Sequence, residues 1–304
     1  PRGKLEGDHF LRTLIGLQKD LKEPILLVPQ VFIWSKEYDT IPTPFDQLLG
    51  PREWPGRLRS LGQALSNLDN VTMRAGEPID LREELAERGS EETDELFVRR
   101  LRSTLLRRIE RERRAVLGPL KKSPERAREQ VLHSPKLQAI IRDLAGEGLH
   151  ERKLIQARAL AMLEELSADP QLFFVSAFGG AIGKILPQLF SDLQIDHEGL
   201  DRIRNAMKQG SVIFLPSHRS HFDYLILSYA LFTNHLQVPI IGAGDNLNFF
   251  PMGTIFRKSG AFFIRRSFRG DRLYSAVVDA YLRRLILDGW SLEFFIEGGR
   301  SRTG

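Results

Sequence analysis

The sequence predicts an α/β chain, with a helical N-terminal region followed by an α/β domain built on a central mixed sheet. Two observations carry this. After Gly210, short apolar runs alternate with stretches of helical length, the pattern of strands and helices layered on one sheet. Before Gly210, apolar residues recur mostly at helical spacing, punctuated by Pro and Gly. With 304 residues, 42% of them hydrophobic, the chain can build cores, and length alone suggests about two domains of roughly 150 residues each.

The elements follow in order. Pro24 to Trp34 (PILLVPQVFIW) is apolar and β-branched, as a buried strand would be. Tyr38 to Pro55 is rich in Pro, Gly and Asp and reads as a loop. Val71 to Arg74 predicts a short strand, and Asp80 an N-cap for a helix starting near Leu81. Thr93 to Ala115 predicts a helix on the spacing of Leu96, Leu101, Leu105, Ile109 and Val116. Its other faces carry Arg99, Arg100, Arg102, Arg107, Arg108, Arg111, Arg113 and Arg114. Such a helix could lie on anionic phospholipid. Equally, it could be a solvated face partnered by Glu110 and Glu112. Pro119 and Pro124 end the pattern. Helices are then expected near Lys136 to Ala145, Glu151 to Leu166, Pro170 to Leu189 and His197 to Gln209. Gly179-Gly180 interrupts the third, for close packing or a kink. Beyond Gly210, strands are expected at Ser211 to Pro216, Val238 to Gly242, Ala261 to Ile264 and Ser291 to Ile296. Helices are expected at Phe222 to Phe232 and Asp271 to Leu287. This divides the chain into an α/β region with the basic helix (1–120), a helical region (121–209) and an α/β domain (210–304).

Composition narrows the chemistry. There is no Cys, which excludes disulfides, Cys-ligated zinc, iron–sulfur clusters and a thiol nucleophile. Lys and Arg number 44 against 39 Asp and Glu, for a net charge of +5. That balance suits an anionic lipid surface, an anionic substrate or a nucleic acid. No uninterrupted apolar run reaches the length of a spanning helix, so any membrane contact is expected to be peripheral. The start at Pro1 and the stop at Gly304 read as a piece of a longer protein.

Three polar clusters follow predicted strands, where ligands sit in open α/β sheets. The first is PSHRSHFD, residues 216–223. His218 and Asp223 are five apart, about 140° apart in a regular helix. At a strand-to-helix junction, however, His218 lies in the loop and Asp223 in the first helical turn. A carboxylate reaching back to the imidazole would orient it as a base for a hydroxyl. A His and an Asp that merely cap a helix would show the same spacing. A metal site from His218, His221 and Asp223 competes less well, since no second acidic or His cluster follows the other strands. Ser217 and Ser220 lack the G-x-S-x-G turn of a serine nucleophile.

The second cluster runs from Gly242 to Arg269 and holds Arg257, Lys258, Arg265, Arg266 and Arg269. Arg forks match phosphate oxygens. Adjacent residues on an extended chain point in opposite directions, so only one of Arg265 and Arg266 is expected to face the site. The alternative is that an Arg pairs with Glu297 or Asp271. The third cluster is Glu297-Gly298-Gly299-Arg300-Ser301-Arg302, where two Gly let backbone N–H groups approach an anion. It is not a Walker loop. Together the clusters point to a hydroxyl to be deprotonated on a molecule that carries phosphate.

These residues resemble a known family. HRSHFD resembles the H-x-x-x-x-D motif of the glycerolipid acyltransferases, NLNFFPMGTIFRKSGAFFIRR their second motif and FIEGGRSRTG their third. The variants present, with the upstream LLVPQVFIW, are similar to those of the bacterial membrane-associated glycerol-3-phosphate acyltransferases. The resemblance runs from about Pro24 to Gly304. It implies transfer of a fatty acyl group from acyl-CoA or acyl-acyl carrier protein to the sn-1 hydroxyl of glycerol 3-phosphate, giving lysophosphatidate, with no cofactor and no metal. It implies His218 as general base and Asp223 as its orienting partner. Arg265, Glu297, Gly298, Arg300 and Arg302 are implied around glycerol phosphate, with Arg266 and Arg257 as further candidates. It also implies a peripheral place on anionic phospholipid at the cytoplasmic face of the cell inner membrane, and no nucleic acid. The family's fourth motif, an apolar Pro-containing strand at the acyl-donor site, would follow Gly304, so the domain is expected to be truncated here. A lysophosphatidate acyltransferase of the same fold, or a non-catalytic basic module binding membrane or nucleic acid, are the alternatives.

Overall fold

The computed structural model describes residues 2–34, 71–89, 91–119, 122–190, 193–220, 222–297 and 301. The predicted loop at Tyr38 to Pro55 lies outside them, as do His221, Gly298, Arg300 and Arg302. The described residues form two compact units, one from 2–34 with 71–114, the other from 115 onward.

The first unit contains α1 (Arg2–Asp20), β1 (Leu26–Leu27), β2 (Gln30–Trp34), β3 (Val71–Ala75), β4 (Ile79–Asp80), α2 (Leu81–Ala86) and most of α3 (Asp94–Leu117). The strands make two antiparallel ladders, β1 with β4 and β2 with β3. The single buried strand expected over Pro24 to Trp34 is therefore two short ones, and Leu26 and Phe32 are exposed. Pro29 sits at the break, where its missing N–H cannot serve a ladder. Asp80 caps α2 as expected, its Oδ1 accepting from the N–H of Arg82 at 2.8 Å and of Glu83 at 3.2 Å.

The buried stripe of α3 is Phe97, Val98 and Leu101, packed with Leu11, Ile15, Ile79 and Leu81. Leu96, counted in the expected stripe, is exposed. Each such Leu or Phe contributes about 1.5–3 kcal/mol when fully buried. The basic face of α3 is engaged within its own unit. Arg100 pairs with Glu84 and Glu92, Arg102 with Asp8, Arg108 with Glu77, Arg99 with Glu95 and Arg113 with Glu110. Arg88 and Arg100 also sit over the Phe97 ring, at 5.5 and 5.0 Å. These are the acid-partnered arginines of the solvated-face reading, with partners drawn from well beyond α3 itself.

The second unit contains α4 (Pro124–Leu132), α5 (Pro135–Ala145), α6 (Leu149–Leu166), α7 (Leu172–Leu189), α8 (His197–Gln209), β5 (Ile213–Phe214), α9 (Asp223–Thr233), β6 (Ile240–Gly244), α10 (Met252–Lys258), β7 (Ala261–Ile264), α11 (Arg272–Asp288) and β8 (Leu292–Glu293). The strand order is β5-β8-β6-β7 and every pair is parallel. With the antiparallel ladders of the first unit, the sheets are of mixed type and the α/β class holds. Parallel neighbours place all four strand exits on one edge, so the loops after β5, β6, β7 and β8 gather there.

The core lies between sheet and helices. Leu137 and Ile141 of α5, Leu163 and Leu166 of α6, and Tyr274, Val277 and Tyr281 of α11 pack on Ile240, Phe262 and Leu292. The helices of 121–209 thus share one core with the strands that follow. Local chemistry sets their ends. Ser123 caps α4 ahead of Pro124, Asp196 caps α8 and Asp271 caps α11. Gly289 closes α11 in the left-handed conformation, at φ 93°. The Gly179-Gly180 pair stays helical. A Cβ on Gly179 would stand 2.8 Å from the Phe232 ring of α9, so close packing is its purpose. No helix among the described residues is long and apolar enough to cross a membrane.

Candidate active site

β5 is only two residues long, yet it is fixed at both ends to β8. Leu292 N donates to Val212 O at 2.9 Å, and Phe294 N to Phe214 O at 3.2 Å. The chain then leaves the sheet through Pro216 and Ser217 to His218. Asp223 opens α9 five residues later. Its carboxylate folds back over the loop: Oδ2 accepts from Arg219 N at 2.6 Å and Ser220 N at 2.7 Å, and Oδ1 from the Ser220 hydroxyl at 2.9 Å. The Ser220 oxygen in turn accepts from Phe222 N at 3.0 Å. Burial opposes the charge on Asp223, but these donors and the nearby His218 imidazole win, and its pKa is lowered. The strand-loop-helix placement expected for the pair is what the structure has.

His218 is fixed by the loop after β8. Its ring stacks on Phe295, centroids 4.1 Å apart and planes 27° apart. Its backbone N–H donates to Glu297 Oε1 at 3.3 Å, and its carbonyl accepts from Ser301 N at 2.6 Å. The first and third sequence clusters are therefore joined here. Among the described residues, no three His, Asp or Glu side chains gather as metal ligands.

The arginines separate into different environments. Arg265, at the exit of β7, forks onto Glu165 at the end of α6, with Nε to Oε1 at 3.0 Å and Nη2 to Oε2 at 2.5 Å. Its guanidinium lies over Tyr274 at 4.4 Å, and Asp271 is 3.9 Å away. The fork raises the Arg265 pKa and lowers that of Glu165. Arg266 donates through Nε to Asn246 Oδ1 at 3.1 Å. Arg257 is not at this edge. It donates to the carbonyls of Glu164, Glu165 and Ser167, ending α6, and lies over the Phe263 ring at 5.0 Å. Partly buried, it has a lowered pKa, mainly through desolvation.

His218, Arg265 and Arg266 share the wall of one cavity of about 900 Å³. Most of the remaining wall is apolar, from Val175, Phe178 and Ile182 of α7, Leu225 and Phe232 of α9, and Ile264 of β7. A cavity of that size and lining can bury an apolar ligand, with one imidazole and two guanidinium groups on its wall. Several contributors were not anticipated from sequence. Glu165 lies 100 residues from Arg265, and nothing in its helix marks it. Phe295 is inside the third motif but reads there as a core strand residue.

Residues 194–304 match the family model described as Acyltransferase. Over 307 aligned positions the chain is 36% identical to a glycerol-3-phosphate acyltransferase of Pseudoalteromonas translucida, covering 100% of this chain and 36% of the relative. It is 32% identical over 298 positions to one of Pseudomonas paraeruginosa (97% and 35%) and 37% identical over 249 positions to one of Xanthomonas campestris pv. campestris (82% and 28%). The chain spans about a third of the length of these curated relatives. The His218–Asp223 junction at the strand exits lies within the residues that match this acyltransferase model.

Proposed function

We propose that the protein transfers a fatty acyl group from a thioester to the sn-1 hydroxyl of glycerol 3-phosphate, with acyl-CoA or acyl-acyl carrier protein as donor and lysophosphatidate as product. The observation that carries this is His218 on the wall of a largely apolar cavity that Arg265 and Arg266 also line, in a loop held by the carboxylate of Asp223. His218 takes the hydroxyl proton as the oxygen attacks the thioester carbonyl. A C–O bond forms and the C–S bond breaks. The proton passes from the imidazolium to the leaving thiolate, so His218 ends as it began. The chain has no Cys, which agrees with direct attack and no acyl-thioenzyme. Asp223 stabilises the imidazolium while it exists.

The cations Arg265 and Arg266 on the cavity wall suit the acceptor's phosphate, and Glu297, Gly298, Arg300 and Arg302 are the further groups proposed to bind it. Arg257 serves this reading less well, because its guanidinium is occupied by the end of α6. The alkyl chain of the donor fits the apolar part of the cavity. The same reading places the protein peripherally on anionic phospholipid at the cytoplasmic face of the inner membrane.

The test is an acceptor panel with the intact protein, offering glycerol 3-phosphate and lysophosphatidate with the same acyl-CoA. Turnover should need glycerol 3-phosphate, and His218→Ala should abolish thioester consumption while glycerol 3-phosphate still binds. Preference for lysophosphatidate would reassign the acceptor, and substantial turnover by the variant would remove His218 as base.

A further inference from the structure

Arg257 stands in the second sequence cluster, one turn before β7, yet its guanidinium goes to the end of α6. Nη1 donates to the carbonyls of Glu164, at 3.3 Å, and Ser167, and Nη2 to that of Glu165 at 2.8 Å. The last carbonyls of a helix have no intrahelical partner, and a cation there also meets the negative end of the helix dipole. The main chain ties the same segments in the other direction. Asp169 N donates to Arg257 O at 3.1 Å, and Gln171 N to Lys258 O at 2.7 Å. The end of α6 and the end of α10 are therefore one joint.

Glu165 is gripped twice at this joint. Arg257 holds its carbonyl, and the fork of Arg265 holds its carboxylate, at 3.0 and 2.5 Å. Arg257 in turn rests over the ring of Phe263, at 5.0 Å. Phe263 and Arg265 are two apart on an extended chain, so they share a side of it. A fork onto a carboxylate is directional. The place of the Glu165 carboxylate therefore sets where the Arg265 guanidinium points on the cavity wall. That place depends on the last turn of α6, which frays unless its carbonyls are held.

We propose that Arg257 is a positioning residue for the phosphate end of the site, acting on Arg265 through the end of α6 and Glu165. This rests on the reading above in which Arg265 binds the acceptor's phosphate. It also gives Arg257 a place in the function without contact to substrate.

A purely structural cap and a positioning residue differ in what they need from Glu165. The cap is made to main-chain carbonyls, so its stability contribution is the same whatever side chain residue 165 carries. The positioning effect passes through the Glu165 carboxylate and disappears with it. Glu165→Ala removes the carboxylate and keeps the carbonyl in a helix that Ala favours. Arg257→Met keeps the apolar stem over Phe263 and loses the donors.

The experiment is a double-mutant cycle on the intact protein, with Arg257→Met, Glu165→Ala and the double variant. Glycerol 3-phosphate binding is measured by calorimetry and stability by thermal melts. Arg257→Met should raise the Kd for glycerol 3-phosphate about tenfold when Glu165 is present, and less than about twofold when it is Ala. The fall in melting temperature should be alike in both backgrounds. In steady state, the KM for acyl-CoA should stay within about twofold while that for glycerol 3-phosphate rises. Arg257→Lys keeps a cation at the helix end without the fork and should raise the Kd by a smaller factor that also needs Glu165. It carries the cycle if the Met variant does not fold. Equal rises in Kd in both backgrounds, or an unchanged Kd, would overturn the positioning role. If the parent binds no glycerol 3-phosphate, the proposed acceptor fails, and the same cycle titrated with inorganic phosphate decides Arg257. Binding of neither would overturn both.

Discussion

Asp223 holds Ser220 by two bonds at once, its Oδ2 on the backbone N–H at 2.7 Å and its Oδ1 on the hydroxyl at 2.9 Å. The carboxylate is thereby a structural clasp for the loop that presents His218, as well as a charge near the imidazole. The two roles separate by mutation. Asp223→Asn removes the charge and the Oδ1 acceptor of the Ser220 hydroxyl, while its amide oxygen can still accept from Arg219 N and Ser220 N. Ser220→Ala removes one donor and leaves the charge. We expect Asp223→Asn to lower kcat by about 10²-fold or more and Ser220→Ala by about tenfold or less, with steady-state rates as the measure. Equal losses would make the clasp the whole of the role.

The lowered pKa of Asp223 has a stability consequence. Its folded value lies below the ordinary 3.8, so its contribution is present above that value and is lost as pH falls through the folded one. Acid unfolding should therefore lose a component in Asp223→Asn, with a shallower decline below about pH 4, followed by circular dichroism.

Arg265 and Glu165 make a second testable pair. Their side chains are 33% and 38% exposed, and at such exposure a fork adds only about 0–1 kcal/mol of stability. What the fork does fix is the direction of the guanidinium on the cavity wall. Glu165→Gln should move the melting temperature little and change the KM for glycerol 3-phosphate several-fold. Arg265→Lys, which loses the fork and the stack on Tyr274, should raise that KM about tenfold or more. A change confined to the acyl-CoA constant would detach Arg265 from the phosphate.

Much of this was legible in sequence, for identifiable reasons. AFFI predicts β7 to the residue because it is a short β-branched and aromatic run between Gly260 and a pair of Arg. Asp80 and Asp271 mark helix starts because a cap is a local interaction. His218 falls in the loop and Asp223 in the first helical turn because a strand-to-helix junction is a local feature, while the carboxylate itself bonds Arg219 and Ser220. What was not legible depended on distant partners. Arg265 reads as a phosphate ligand with Asp271 or Glu297 as rival partners; Asp271 does stand 3.9 Å away, but the fork goes to Glu165 on another helix. Arg257 reads as one more cation of its cluster, and only the packed α6 reveals the carbonyls it caps. The basic face of α3 suits a lipid surface and a solvated face equally in sequence, and its pairings with Asp8, Glu77, Glu84 and Glu92 involve residues outside the helix.

The glycine pair of α7 gives a prediction with opposite signs at adjacent positions. Both residues are helical, so replacing either by Ala gains about 0.5–1 kcal/mol from backbone entropy alone. Gly180 has nothing within 4 Å of its would-be Cβ. Gly180→Ala should therefore stabilise by about that amount. Gly179 faces the Phe232 ring at 2.8 Å, and a ring packed between two helices can give way only by moving α9 or leaving its rotamer. Overpacking of that kind costs about 1–3 kcal/mol, which outweighs the entropic gain, so Gly179→Ala should destabilise. Because Gly179 and Phe232 also line the cavity, the same substitution should impair the longest acyl donors most. Thermal melts of the two variants check the signs, and kcat/KM across a series of acyl-CoA chain lengths checks the last step. Equal effects on all chain lengths would show that the α7–α9 contact serves the fold and leaves the depth of the cavity unchanged.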